Sequence, residues 1–258
     1  MRLHVREWGD PSAPAVVCVH GVTGHGERFR RLAEERLAPR FHVVAVDLRG
    51  HGRSGRDEPW TLDTHLADLL ETYPERASWI GHSFGGRLVA ELMAREPERV
   101  GRAVFLDPAL TVPPDYAAFL AQEELTAENS YATVEEAIEA WTAGLFRPAS
   151  DAVKAEVRDQ IVQDDEGRFR YDYSPEVVAA AYLAIAPLPS PWERAGIPTL
   201  IVAGLASKFV SVGEVEHYRA SLGDKLEVVV VPAGHSVLWD AFDETADAIE
   251  RFLSAELA

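Results

Sequence analysis

Short apolar runs return along this chain at intervals, and most of the gaps between them carry helical periodicity. Residues 3–8 alternate as an opening strand, and 15–20 form the continuous apolar run that a strand buried on both faces requires. Residues 27–37 read as a helix and 42–48 as the next strand. A helix over 61–72 follows, with Leu62, Leu66, Leu69 and Leu70 on one face and Thr61 or Asp63 as its cap. Further strands are predicted at 77–80, 102–106, 199–203 and 227–231, with helices at 84–95, around 214–222 and at about 238–253. Strands alternating with helices predict a mostly parallel sheet with helices on both faces. In such sheets ligands gather beyond the carboxyl ends of the strands, and His20, Asp47, Ser83, Asp107 and His235 all fall there.

Residues 108–194 break this rhythm. Helical patterns at 116–125, 133–144, 151–163 and 175–186 are separated by prolines, and no well-patterned buried strand appears. A span this long between two core strands is more than a loop. It predicts a helical cap inserted over the working edge of the sheet, so that 1–108 and 195–258 form the core and 109–194 the cap. The interval holds sixteen acidic against six basic residues, with Tyr116, Phe119, Trp141, Phe146, Tyr182 and Trp192. Some of these aromatics pack the cap and some face the site.

The chemistry starts at Gly81-His82-Ser83-Phe84-Gly85, between a buried strand and a helix. A serine on so sharp a turn has its hydroxyl lifted clear of the sheet, and the glycines are needed because a Cβ would strike neighbouring backbone. The amide of Phe84 sits at a helix N-terminus, where an oxyanion is stabilised. A serine hydroxyl needs a base, and His235 in Pro232-Ala233-Gly234-His235-Ser236 is the histidine that follows the last strand. His20-Gly21-Val22-Thr23-Gly24 follows the first buried strand and suits a second oxyanion donor, the Val22 amide. His20 and His51 read as structural residues.

These segments together resemble the α/β-hydrolase superfamily: His20-Gly21, Asp47-Leu48-Arg49-Gly50-His51-Gly52-Arg53-Ser54, Gly81-His82-Ser83-Phe84-Gly85-Gly86 and Gly234-His235. The resemblance runs over essentially the whole chain. It implies an eight-stranded, mostly parallel sheet, acyl-enzyme chemistry and no cofactor. One element departs from the pattern. The acid of such a triad usually follows the penultimate strand, yet Gly204-Leu205-Ala206-Ser207-Lys208-Phe209-Val210-Ser211 has no carboxylate. Three accounts stand: the acid is Asp107, 24 residues beyond Ser83; it has been lost; or the chain is an engineered variant. Glu214 and Glu216 lie on the next helix and read as solvated, and Asp240 as part of the last helix's first turn.

The net charge of −17 disfavours nucleic acid, anionic membranes and polyanionic substrates. No apolar run approaches the roughly 20 residues of a membrane span, and the N-terminus lacks the apolar core of a signal peptide, so a cytoplasmic location is expected. The single cysteine, Cys18, reads as a small buried apolar residue, which leaves no internal disulfide or cysteine metal cluster. The expected activity is hydrolysis of small, fairly apolar, uncharged esters, with lactones included, by Ser83, His235 and Asp107 with the amides of Val22 and Phe84. A C–C bond hydrolase or lyase on the same fold, or a catalytically weak ligand-binding protein, is the alternative. The substrate partner is a small molecule, no metal is implied, and oligomeric state is left open.

Overall fold

The computed structural model describes residues 1–143 and 151–255. In chain order its strands are β1 (Val5–Trp8), β2 (Ala15–Val19), β3 (His42–Val46), β4 (Ala77–His82), β5 (Val100–Leu106), β6 (Ile161–Gln163), β7 (Phe169–Tyr171), β8 (Thr199–Gly204) and β9 (Leu226–Val231). The helices are α1 (Arg30–Leu32), α2 (Leu62–Thr72), α3 (Phe84–Arg95), α4 (Pro114–Thr126), α5 (Val134–Thr142), α6 (Asp151–Asp159), α7 (Pro175–Ile185), α8 (Val212–Leu222), α9 (Val237–Asp240) and α10 (Phe242–Ser254).

The main sheet runs β1-β3-β2-β4-β5-β8-β9, with β1 antiparallel to β3 and the remaining neighbours parallel. Among the described residues it has seven strands, where the family resemblance implies eight. The seven coincide with the apolar runs in the sequence. Neither residues 1–4 nor the turn at 10–14 supplies an apolar run able to form another strand beside β1. Successive strand residues alternate between two cores. Val17, Val19, Trp79, Phe105 and Ile201 pack with α2, α3 and α8, while Val16, Cys18, Ile80, Val104 and Val202 pack with residues 29–37 and α10. Cys18 is buried and free, as its apolar surroundings predict.

Several predicted helices differ in detail. Residues 27–37 form a 3₁₀ turn (Gly26–Phe29), the short α1 and a π turn (Ala33–Leu37), in which the Ala38 N–H reaches the Ala33 carbonyl at 2.8 Å. The expected helix at 238–253 is two helices, broken at Ala241 (φ −144°, ψ 61°). Between β5 and β8 lies an inserted helical region containing α4 to α7. It also contains a hairpin, where the expected helix 151–163 stops at Asp159 and β6 pairs with β7 instead. The turn is closed by the amide of Asp164 on the Arg168 carbonyl at 2.8 Å, with Gly167 at φ +79°. Gly144 and Phe146 lie outside the described residues.

Candidate active site

The parallel register brings the carboxyl ends of β2, β3, β4, β5, β8 and β9 to one edge, and every candidate residue is found there. Ser83 separates β4 from α3 and has φ 53° and ψ −116°. The strain is held by sterics on both sides. A Cβ on Gly81 would stand 2.5 Å from the Gly85 carbonyl oxygen, and one on Gly85 would stand 2.2 Å from that of Val19. Strand and helix therefore close onto each other with no room for a side chain, and Ser83 takes the strained corner.

Asp107, at the end of β5, is the other non-glycine residue with positive φ (43°) among the described residues. It is fully buried. Its Oδ1 accepts the Gly204 N–H at 3.0 Å, and its Oδ2 accepts the Ser207 hydroxyl at 2.5 Å and the Nδ1–H of His235 at 2.6 Å. The end of β8 and the loop after it, where the family pattern places the acid, thus send an amide and a serine hydroxyl to a carboxylate at the end of the neighbouring strand. Lys208 is exposed. Glu214 caps α8 in a reciprocal pair with Ser211, and Asp240 accepts the Gly234 N–H at 3.0 Å, fastening the loop that carries His235.

His235 follows β9. With the Nδ1 proton committed to Asp107, its Nε2 carries the free lone pair. The ring lies between His82 (centroids 4.9 Å) and Phe209 (4.3 Å), and the side chain is 33% exposed. His82 donates from Nε2 to the His235 carbonyl at 3.0 Å and packs against Trp239. Burial holds His82 well below the usual histidine range, so it stays neutral. Among the described residues the Ser83 hydroxyl makes no hydrogen bond; such contacts commonly tighten only with substrate bound.

The loop after β2 approaches Ser83 closely: a Cβ on Gly21 would stand 3.0 Å from the Ser83 Cβ. His20 orients this loop. Its Nε2 accepts the Leu48 N–H at 2.9 Å, which leaves the proton on Nδ1 for the Gly21 carbonyl at 2.7 Å. Because a peptide is planar and trans, fixing the Gly21 carbonyl points the Val22 N–H the opposite way, away from His20. Burial keeps His20 far below its normal pKa and hence neutral. His51 donates from Nε2 to the Val22 carbonyl at 2.6 Å. Asp47, fully buried, accepts the Gly26 and Arg53 amides and Arg6. The Phe84 N–H is the first amide of α3, one of those that an α-helix leaves without an intrahelical partner.

Sequence reasoning missed Ser207 as a partner of Asp107, and His82, Phe209 and Trp239 as the surroundings of His235. Nothing in their local spacing marks them, since the end of β4, the loop after β8 and α9 come together only in the fold. Of the aromatics between β5 and β8, Trp192 is fully buried against Phe105 and Tyr218. Trp141 and Tyr182 join Tyr171 and Tyr173 in a separate cluster that also meets Val22 and Trp239, and Tyr116 and Phe119 are exposed. Among the described residues no three His, Cys, Asp or Glu side chains group as metal ligands, and no helix is long and apolar enough to cross a membrane.

Comparison with known proteins gives a family profile described as alpha/beta hydrolase fold, matching residues 14–242. The chain is 34% identical over 181 residues to "Lipase LipV" of Mycobacterium tuberculosis, covering 67% of each. It is 27% identical over 249 residues to "Esterase YbfF" of Escherichia coli, covering 93% of this chain and 92% of that one. A crystal structure of E-2-(acetamidomethylene)succinate hydrolase superposes with a TM-score of 0.86 at 26% identity, over 98% of this chain and 95% of the other.

Proposed function

This chain belongs to the α/β-hydrolase family, and from that premise we propose that it is a serine hydrolase of carboxylic esters, lactones included. Its substrates are small, fairly apolar and uncharged. The observation that carries the reading is the 2.6 Å contact between Asp107 Oδ2 and His235 Nδ1 beside a strained Ser83. Ser83 Oγ attacks the ester carbonyl carbon while His235 Nε2 takes its proton. The amides of Val22 and Phe84 hold the tetrahedral oxyanion, and Asp107 stabilises the imidazolium. Collapse breaks the ester C–O bond, and His235 returns the proton to the leaving alcohol. Water, deprotonated by His235, then cleaves the acyl-enzyme. Residues 109–194 serve as a cap over this edge; the paired amides and carbonyls of Gly50–Ser174 and Gly52–Asp172 support that role.

The test is hydrolysis of p-nitrophenyl acetate and butyrate by wild type and Ser83→Ala, with fluorophosphonate labelling of Ser83. Wild type turns over and labels, and the variant does neither; an unlabelled, inactive wild type ends the reading. The sequence motive for a weak binding protein was the missing acid, and Asp107 supplies one. The likeness to an acetamidomethylenesuccinate hydrolase over nearly the whole chain favours one second reading, release of acetate from that acetamido compound. Acetate release from it with no nitrophenyl ester turnover would select that reading.

A further inference from the structure

Arg87 lies one turn after Ser83 on α3, and its side chain is only 2% exposed. A buried guanidinium is strongly destabilising unless its N–H groups are bonded, and burial accordingly lowers its pKa. Here the donors are distributed with a clear bias. Nη1 donates to the carbonyls of Leu110 at 2.5 Å, Pro187 at 2.7 Å and Ile185 at 3.5 Å, and Nη2 to Leu188 at 3.3 Å. Nε donates to Glu91 Oε1 at 3.2 Å. Leu110 lies where the chain leaves β5 for the inserted helices, and residues 185–188 lie where it returns towards β8. Glu91 extends the grip, since its carboxylate accepts both the Ser190 N–H at 2.9 Å and the Ser190 hydroxyl at 2.7 Å. It also pairs with Arg95.

One helix therefore carries Ser83 at its start and both crossings of the insertion on its next turns. The packing of α3 does not require this, because Leu88, Val89, Leu92 and Met93 already fix it to the sheet. We infer that Arg87, backed by Glu91, is a positioning residue that clasps both crossings of the inserted region to the nucleophile helix and so holds the proposed cap in place over Ser83. It touches no reacting atom. Its kinetic consequence rests on the ester-hydrolase reading; its mechanical one does not. Lysine replaces it only in part, since one ammonium can stand where Nη1 meets Leu110 and Pro187 but cannot also serve the Leu188 carbonyl and Glu91, which Nη2 and Nε reach.

The test compares Arg87→Met, Arg87→Lys and Ser190→Ala with wild type by hydrogen exchange and by kinetics on p-nitrophenyl acetate and butyrate. In Arg87→Met, Glu91 keeps Arg95 and Ser190 as partners. The expected result is faster exchange in α4 and α7, roughly tenfold, with β4 and β5 unchanged. KM for the butyrate is expected to rise about tenfold with kcat held within about threefold, as when ground-state and transition-state binding are lost together. Arg87→Lys rescues only in part, and Ser190→Ala moves the same readouts in the same direction by about twofold. A fall in melting temperature with exchange and KM unchanged overturns the inference, as does full rescue by lysine. If Arg87→Met fails to fold, an unaltered Ser190→Ala overturns it as well. If wild type hydrolyses no ester, the hydrolase reading falls alone and the exchange data decide the clasp.

Discussion

Asp107 accepts hydrogen bonds from Gly204, Ser207 and His235 while holding a positive φ, a conformation that is unfavourable for most side chains and less so for aspartate. Such strain persists only where the surroundings over-determine it, here by three donors and the Asp107 N–H on the Val202 carbonyl at 2.8 Å. Asp107→Asn keeps the shape and presents an amide that cannot stabilise an imidazolium. We expect kcat/KM on p-nitrophenyl acetate to fall roughly 10³–10⁴-fold, and a rate near wild type would remove Asp107 from the proposed triad. Ser207→Ala removes one hydrogen bond to a charged acceptor and leaves the other two, so a loss of about three- to tenfold is expected in the same assay. Lys208→Asp places a carboxylate in solvent, beside a site already filled, and is expected to change the rate by less than about twofold; a large gain would mean that Asp107 does not act.

At the scale of elements, the turn between β4 and α3 is fixed by backbone approach rather than by its serine. Adding one methyl at Gly85 would force α3 away from the Val19 carbonyl. Gly85→Ala is expected to lower unfolding free energy by more than about 2 kcal/mol in urea titration, and a wild-type midpoint would show that the helix can shift freely. This element was legible in the sequence because its pattern of residues is local, although Val19 on another strand enforces it. The hairpin β6–β7 was not, since its short strands gain their pairing only from the turn at 164–168 and from Tyr131, whose amide and carbonyl bond Phe169. The break at Ala241 also escaped periodicity, because α9 and α10 bury apolar residues into one core and a single non-helical residue barely disturbs the pattern.

At the scale of the whole molecule, the insertion meets the core through a further polar contact besides the Arg87 clasp and the backbone pairs at Gly50 and Gly52. Glu156 of α6 pairs with Arg28, whose guanidinium lies 4.4 Å from the centre of the Trp239 ring, and accepts Gln160 at 2.9 Å. Burial raises the Glu156 pKa from 4.5 to about 7 against the opposing pull of Arg28. The folded state therefore binds this proton more tightly than the unfolded chain. Its stabilising contribution is full below about 4.5 and is lost as pH rises through about 7. Glu156→Gln removes that dependence, so its melting temperature is expected to gain on wild type between about pH 5 and about pH 8; a constant difference would refute the linkage. The sequence by itself determined the strand–helix alternation, the turn holding Ser83 and the position of His235, because those follow from patterns within a dozen neighbouring residues. Which carboxylate serves His235, which residues surround its ring and how the insertion is fastened were decided by tertiary structure alone. Most of those contacts join segments far apart in the chain, 128 residues for His235–Asp107 and 100 for Arg87–Pro187, and spacing along the chain carries no record of distance in space.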